Sequence, residues 1–512
     1  MAKEKLKIIN KFYGGNTRDD KSKTIGVASN VEEIDIFSNA DWVRAEQIFS
    51  NYALPATTEI YDYTSGTDDT VYAYGKETAG DKVRILSAAT GSATNPSTLS
   101  TLFTSADATN LAYSVSPVQF FKTTESNTNY LYYCTKTSGT TVLLRRYDIT
   151  GDADATVGTL TQLDGTNDKI SLRIVFGELL ITNGKYISKV DKDGVFTEDA
   201  FEMPNEWTSV DIGIAASSGI ILARNININV NFCKGFWWDL TSPTQFDDSF
   251  DIPSGGPQWI INHKETIKFF TAINGTGRMY QLSGAFQGAV PIELPGIVID
   301  NVATETTTQA ISSSKTVAVK DTILYFGLWK TDKSGVYAIG QLDNDKPIAY
   351  ILSKRYHTSD YSLHTPISLF TLGPNFYGIY SDNGTNTGTT CKTLNSPTRS
   401  SNAIYESVII DNDDPSTNKS LTRAYVCVQP MPASTDINFS IASDYGSYTE
   451  YFREDGTSLN TTSAVVGDYK VTGHARKKVF KCKFQITSNG SSSPKLTAVL
   501  MKITEDDLPS PK

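Results

Sequence analysis

Short apolar runs recur along the chain and are punctuated by Gly, Asn, Asp and Ser. One group is formed by residues 60–63, 71–74 and 83–86, the next by 118–121, 130–133 and 142–147, and a third by 172–176, 179–182 and 186–190. Later groups begin near Ile212, Trp259, Val317 and Ile367, the sixth running through 323–327 to 335–340. Runs of this length, rich in Val, Ile, Tyr and Phe and bounded by turn residues, predict strands. The groups start roughly 40 to 60 residues apart, the period of a four-stranded propeller blade with variable loops. The pattern predicts an all-β chain whose residues 53–402 form a β-propeller of about seven blades. A row of β-sandwiches would give the same turn spacing of about 8 to 12 residues.

The two ends depart from that rhythm. Residues 1–52 predict an extended arm with a strand over 31–37 and a short helix over 41–48, capped by Asn39 or Asp41. Residues 385–402, dense in Thr, Asn, Ser and Gly, predict a linker or long loop. From 403 to 512 the period is two: strands over 421–428, 437–442, 478–486 and 496–503 predict a β-sandwich, with a loose tail from 504. Along 478–486 the pattern puts Phe480, Cys482, Phe484 and Ile486 on the buried side and Val479, Lys481, Lys483 and Gln485 on the other.

Composition agrees with the pattern. Of 512 residues, 39% are hydrophobic and 11% aromatic, enough for packed cores, while 5 Met and 19 Pro leave little material for long helices. The net charge of −10 is the wrong sign for gripping phosphates, although it suits a wall past which DNA slides. No run approaches the roughly 20 apolar residues of a membrane span, and the first ten residues lack the apolar core of a secretory signal. The five cysteines are widely spaced with no CxxC pair, which predicts buried thiols, no zinc site and synthesis in a reducing cytoplasm.

Candidate chemistry is sparse. The histidines are His263, His357, His364 and His474; His357 and His364 have metal-ligand character, but no helical pattern puts them on one face. Gly275-Thr276-Gly277-Arg278 lacks the third glycine of a dinucleotide turn and predicts a hairpin. Asp411-Asn412-Asp413-Asp414 lacks the Gly and closing Glu of a calcium loop, and residues 191–194 and 343–346 predict ordinary turns. Phe236-Trp237-Trp238-Asp239 and Trp329 are aromatic enough for a sugar platform, or else for packing between blades. No carboxylate pair stands at an arguable spacing for glycoside cleavage. The residues therefore predict no catalytic, cofactor or metal site and no enzymatic activity.

The opening Phe12-Tyr13-Gly14-Gly15, the turn at Arg18-Asp19-Asp20 and the stretch 30–36, together with Tyr405-Glu406-Ser407, Gln429-Pro430-Met431-Pro432 and residues 480–484, resemble tailed-bacteriophage tail structural proteins that carry propellers, of the nozzle, tail-hub or packaged-DNA stabilisation type. The resemblance covers the two ends, about 150 residues, and the blade-like middle. It implies a non-enzymatic virion tail component that assembles with itself as a hexameric ring around the DNA path, contacts other tail or portal-adaptor proteins, and lets DNA pass without specific binding. Phe12, Tyr13, Gly14 and Gly15 are the expected intersubunit tie, two aromatic anchors on a backbone that bends; an arm folded on its own chain is the alternative. The other function class is an adhesin whose propeller scaffold recognises a host receptor or glycan.

Overall fold

The computed structural model describes residues 3–505 apart from 13, 17–26, 40, 54–57, 89–98, 106–110, 114–116, 138–140, 164–168, 226–231, 254, 285, 305–310, 344–347, 355–364, 374, 382–387, 394–397, 412–415, 454–455, 457 and 461–465. Among the described residues there is no α-helix; a 3-10 turn at Ser314–Thr316 interrupts a chain of strands. Two compact units share the sequence, one made of 51–336 and 356–393, the other of 1–50, 337–355 and 394–512.

In the larger unit consecutive strands pair antiparallel as meanders. The first comprises Thr58–Ser65, Val71–Glu77, Val83–Ala88 and Ser100–Thr104; the second Gln119–Lys122, Asn129–Lys136, Val142–Asp148 and Ala153–Leu160. The third runs through Leu172–Val175, Glu178–Asn183, Tyr186–Val190 and Phe196–Glu202, and the fourth through Trp207–Ile214, Gly219–Asn225, Cys233–Trp238 and Asp248–Ile252. The fifth holds Gly256–His263, Thr266–Ile273, Thr276–Leu282 and Pro291–Asp300. Val317–Lys320 with Ile323–Leu328, and Pro366–Leu372 with Asn375–Ser381 and Gly388–Thr393, repeat the motif.

Each meander turns an apolar face to the next. Tyr74, Val83 and Ile85 pack on Val118, Leu131 and Tyr147; Tyr132 and Leu144 on Leu172 and Ile181; Leu180 and Ile187 on Ile212 and Ile221; Leu222 and Trp237 on Ile260 and Phe269. The series then closes on itself. Ile60, Tyr63 and Val71 share a core with Ile367, Tyr377 and Ile379, and Gly388 pairs with Ile60. Sheets stacked face to face in sequence, with the last on the first, are a β-propeller.

The fourth strands escaped the periodicity because they carry little apolar signal. Ala153–Leu160 is Ala-Asp-Ala-Thr-Val-Gly-Thr-Leu, and most of it is partly or fully exposed. A hairpin does lie at the glycine-rich stretch, one residue earlier than the sequence predicts: Asn274 and Gly275, at φ 47° and 79°, form the two-residue turn, which requires left-handed backbone at both positions, and Thr276, Gly277 and Arg278 open the next strand. The expected linker at 385–402 is corrected in part. Residues 388–393 are a strand paired with Asn375–Ser381, because Thr suits a pleated ladder as well as it suits a loop.

The smaller unit is a sandwich. One layer orders Ala349–Lys354, Val27–Glu32, Ala403–Ser407, Phe480–Thr487, Asp436–Ser443 and Thr449–Tyr451; the other orders Lys3–Ile9, Leu496–Glu505, Lys419–Val428 and Val466–Lys470. Phe439 stacks on Phe484 at 5.2 Å within one layer and meets Tyr469 of the other at 5.1 Å. Phe480, Cys482, Phe484 and Ile486 lie buried in the expected register, and Val479 is buried as well.

The short helix expected at 41–48 is absent. Val43 and Ala45 are buried while Trp42 and Arg44 are only half-buried, a period of two. Val43 exchanges backbone hydrogen bonds with Leu496 at 3.0 and 2.9 Å, and Arg44 pairs with Asp35 at 3.2 Å. Tertiary pairing overrides a weak local helix preference here. The strand expected at 31–37 is also broken, at Glu33, whose φ of 53° separates Val27–Glu32 from Ile34–Asp35.

Candidate functional site

Buried or clustered polar groups occur at several places among the described residues, and two of them are candidates for a site. The first is the ring of first strands in the propeller. Asp62 and Asp211 interrupt apolar runs, Tyr61-Asp62-Tyr63 and Val210-Asp211-Ile212, and each sits at a register shift in its strand. Asp62 is buried; its Oδ1 accepts from Ser368 Oγ at 2.6 Å and its Oδ2 from Val118 N at 2.9 Å. Asp211 repeats this arrangement, accepting from Ser171 Oγ and, at 2.9 Å, from Ile260 N. In both cases one donor comes from the preceding meander and one from the following, so each carboxylate staples three meanders together.

One cation lies beside each of these staples. Arg173 Nη2 is 3.5 Å from Asp211 Oδ2, and Lys315 Nζ donates to Tyr61 O at 3.4 Å. Lys169 Nζ donates to Gln258 Oε1 at 2.6 Å and to Ser312 O at 3.2 Å, so it reaches from the third meander to the fifth and beyond. Burial raises the Asp62 carboxyl above the usual range, against the opposing pull of Lys315 and its hydrogen bonds. Burial also lowers the Lys315 ammonium to about 8 despite Asp62.

The second place is a cleft of about 200 Å³ in the sandwich. Ala442, Ile409, Val479 and Phe480 make an apolar floor, and Tyr445, Tyr448, Glu406, Asp444 and Lys481 surround it. The hairpin after Asp436–Ser443 positions the rim. Asp444 and Tyr445 both have left-handed backbone, φ 47° and 64°. Asp444 Oδ1 accepts from the backbone N–H of Lys478 at 2.8 Å and of Val479 at 3.3 Å, which pins the turn to the neighbouring strand. Tyr445 is left 70% exposed at the tip. Lys483 pairs with Glu406 at 3.5 Å and lies 5.5 Å from the Tyr448 ring centre.

Phe236, Trp237 and Trp238 are buried at 1–2%, so these rings are core and offer no platform. Phe12 is buried against Tyr405 of its own chain, ring centres 5.2 Å apart, and is not presented as an anchor to a neighbour. Gly14 is buried and Gly15 pairs with Val27, whereas Tyr13 lies outside the described residues. His357, His364, residues 412–414 and 344–346 also lie outside them. His263 donates from Nε2 to Thr322 O at 2.7 Å, and burial lowers it to about 4. Burial pushes the Cys233 and Cys482 thiols up to about 12, which makes them poor nucleophiles. Among the described residues no group of three His, Cys, Asp or Glu side chains is placed to hold a metal, and no helix is long and apolar enough to cross a membrane.

Compared with known proteins, the chain matches no family model and no curated protein. Solved structures do match. An exo-β-1,3-galactanase from Phanerochaete chrysosporium is 10% identical, with 88% of this chain and 100% of that one covered and a TM-score of 0.31. A family 43 arabinoxylan arabinofuranohydrolase from Bacillus subtilis is 11% identical over 88% and 95%, with a TM-score of 0.27. A polysaccharide lyase is 10% identical over 68% and 98%, with a TM-score of 0.34. Two expectations are corrected by this finding: that of a non-enzymatic ring in a phage tail, and that of a chain without activity. All three of these neighbours are described as enzymes acting on carbohydrate, and none as a virion component. At this identity the likeness is one of fold.

Proposed function

We propose that this chain is a carbohydrate-active protein that seats a sugar ring in the sandwich cleft, with the face of Tyr445 as its platform. The observation that carries the proposal is the placement of Tyr445. A bulky residue in left-handed backbone costs about 1–2 kcal/mol, and Gly or Asn would sit there more cheaply. The chain nevertheless holds a tyrosine there, 70% exposed, beside an apolar floor and two carboxylates. Strain kept at an exposed aromatic suggests use of the ring. Aromatic faces take the apolar face of a pyranose, while carboxylates and ammonium groups take its hydroxyls. Clefts for drug-sized ligands run to about 300–1,000 Å³, so one of this size suits a single ring.

Affinity electrophoresis of the full chain through gels cast with different polysaccharides tests this. Retardation by at least one polysaccharide, relieved in Tyr445→Asn, is the expected result. Equal mobility of the two proteins in every gel would remove the cleft from the account.

A further inference from the structure

We propose that the ligand of the sandwich cleft is a neutral glycan chain whose further rings lie along the outer face of the adjoining sheet, over Ser440 and Asn438 to Phe452. The inference rests on the cleft reading and extends it from one ring to several. Strand register defines the face. Tyr405, Phe439 and Phe484 turn inward and stack in the core. Their neighbours along each strand therefore point outward, because side chains alternate. Ala442 and Lys481, which line the cleft, are directly paired. The next outward row is Glu450, Ser440, Lys483 and Glu406, and the one after it Asn438, Gln485 and Ile404. Phe452 follows Glu450 by two residues, so alternation puts it on the same face. From Ala442 to Asn438 the strand runs about 14 Å, room for more than the ring held in the cleft.

Asn438 is the most telling of these residues. It stands in the middle of Asp436–Ser443, although Asn is disfavoured in strands and is ordinarily kept for caps and turns. Among the described residues its amide has no hydrogen-bond partner, and neither has the Ser440 hydroxyl. Both residues are half-buried, and the polar atoms of both still reach solvent. An amide and a hydroxyl each donate and accept, as sugar hydroxyls do. The charges on this face cancel, Lys481 and Lys483 against Glu406 and Glu450, with Lys483 paired to Glu406 at 3.5 Å. That balance suits a neutral chain better than a polyanion. Exposed rings bracket the face. Tyr445 is 70% exposed at the cleft end and Phe452 51% exposed at the other, where among the described residues it touches no other ring. Aromatic faces at both ends suit an extended ligand that stacks at each of them.

The test is calorimetric titration of the full chain with malto-, cello- and laminari-oligosaccharides, each from the monosaccharide to the hexasaccharide. In at least one series the affinity of wild type should rise about tenfold or more with length and then level off, once the chain spans the face. Phe452→Ala should bind the hexasaccharide about tenfold more weakly and the monosaccharide as wild type does, since it removes only the far platform. Asn438→Thr suits a strand, so it should melt no lower than wild type and should lose affinity for the long chain alone. Tyr445→Asn should weaken every length. Three results overturn the inference: no binding in any series, an affinity independent of length, or a hexasaccharide held by both Phe452→Ala and Asn438→Thr as by wild type. In the last two cases a weakened Tyr445→Asn leaves the cleft standing. A Tyr445→Asn protein that binds every length as wild type does would remove the cleft, and this inference with it.

Discussion

Replacing Asp211 by Ala tests the stapling role most sharply, because its structural cost can be worked out. The side chain is fully buried and accepts from Ser171 Oγ and Ile260 N. Removing it leaves a hydroxyl and a backbone N–H buried without an acceptor, each costing about 1–3 kcal/mol. The contact with the half-exposed Arg173 adds little after solvent screening. The sum is about 4 kcal/mol, a large share of the roughly 5–15 kcal/mol that holds a domain together. Asp211→Asn keeps one carbonyl oxygen and should lose about half as much. Asp193→Ala, on an exposed turn, should stay within about 0.5 kcal/mol of wild type. Equilibrium urea unfolding reads these differences as shifts in midpoint at constant slope. If Asp211→Ala fell within 1 kcal/mol of wild type, or were no worse than Asp211→Asn, the staple would be discarded.

Three further outcomes follow from single residues. Tyr445→Asn should melt no lower than wild type, since Asn tolerates left-handed backbone and the exposed ring contributes little packing; a clear loss of stability would make the ring structural. Phe484→Asp places a charge in the Phe439–Phe484–Tyr405 stack and should abolish cooperative unfolding of the sandwich; a soluble, cooperative variant would contradict the assigned register. Lys315 titrates near 8 when folded against an ordinary value of 10.5, so the unfolded chain binds more protons between those values. The cost of its burial is therefore fully present below pH 8 and is relieved as pH rises to 10.5. Wild type should gain stability relative to Lys315→Met across that window, and a flat difference would refute the burial argument.

The sequence made the first three strands of each meander legible because they face apolar neighbours on both sides. Val83–Ala88 and Tyr186–Val190 are continuous apolar or period-two runs, and their packing is what the pattern encodes. The outer strand 153–160 was hidden because most of its residues meet solvent and carry little apolar signal, and 388–393 falls within the expected loop because Thr and Gly dominate it. The helix expected at 41–48 failed because local propensity says nothing about a partner such as Leu496, hundreds of residues away. The staples did leave a signal: an Asp enclosed by Tyr61 and Tyr63, or by Val210 and Ile212, is a carboxylate inside a buried strand and must find donors there. Tyr445 left almost none. Asp444-Tyr445-Gly446 looks like any turn, and only the backbone angles show that the tyrosine is held at a cost.

The most direct test of the carbohydrate reading is calorimetric titration of the full chain with a panel of mono- and oligosaccharides, run in parallel on wild type and Tyr445→Asn. The face of a tyrosine buried on a sugar is worth about 1.5 kcal/mol by area, and each 1.4 kcal/mol is a factor of about ten in affinity. The account predicts that at least one saccharide binds wild type with one-to-one stoichiometry and binds Tyr445→Asn about tenfold more weakly or worse. A panel that gives no binding heat with wild type, or a saccharide that binds both proteins equally, would contradict it.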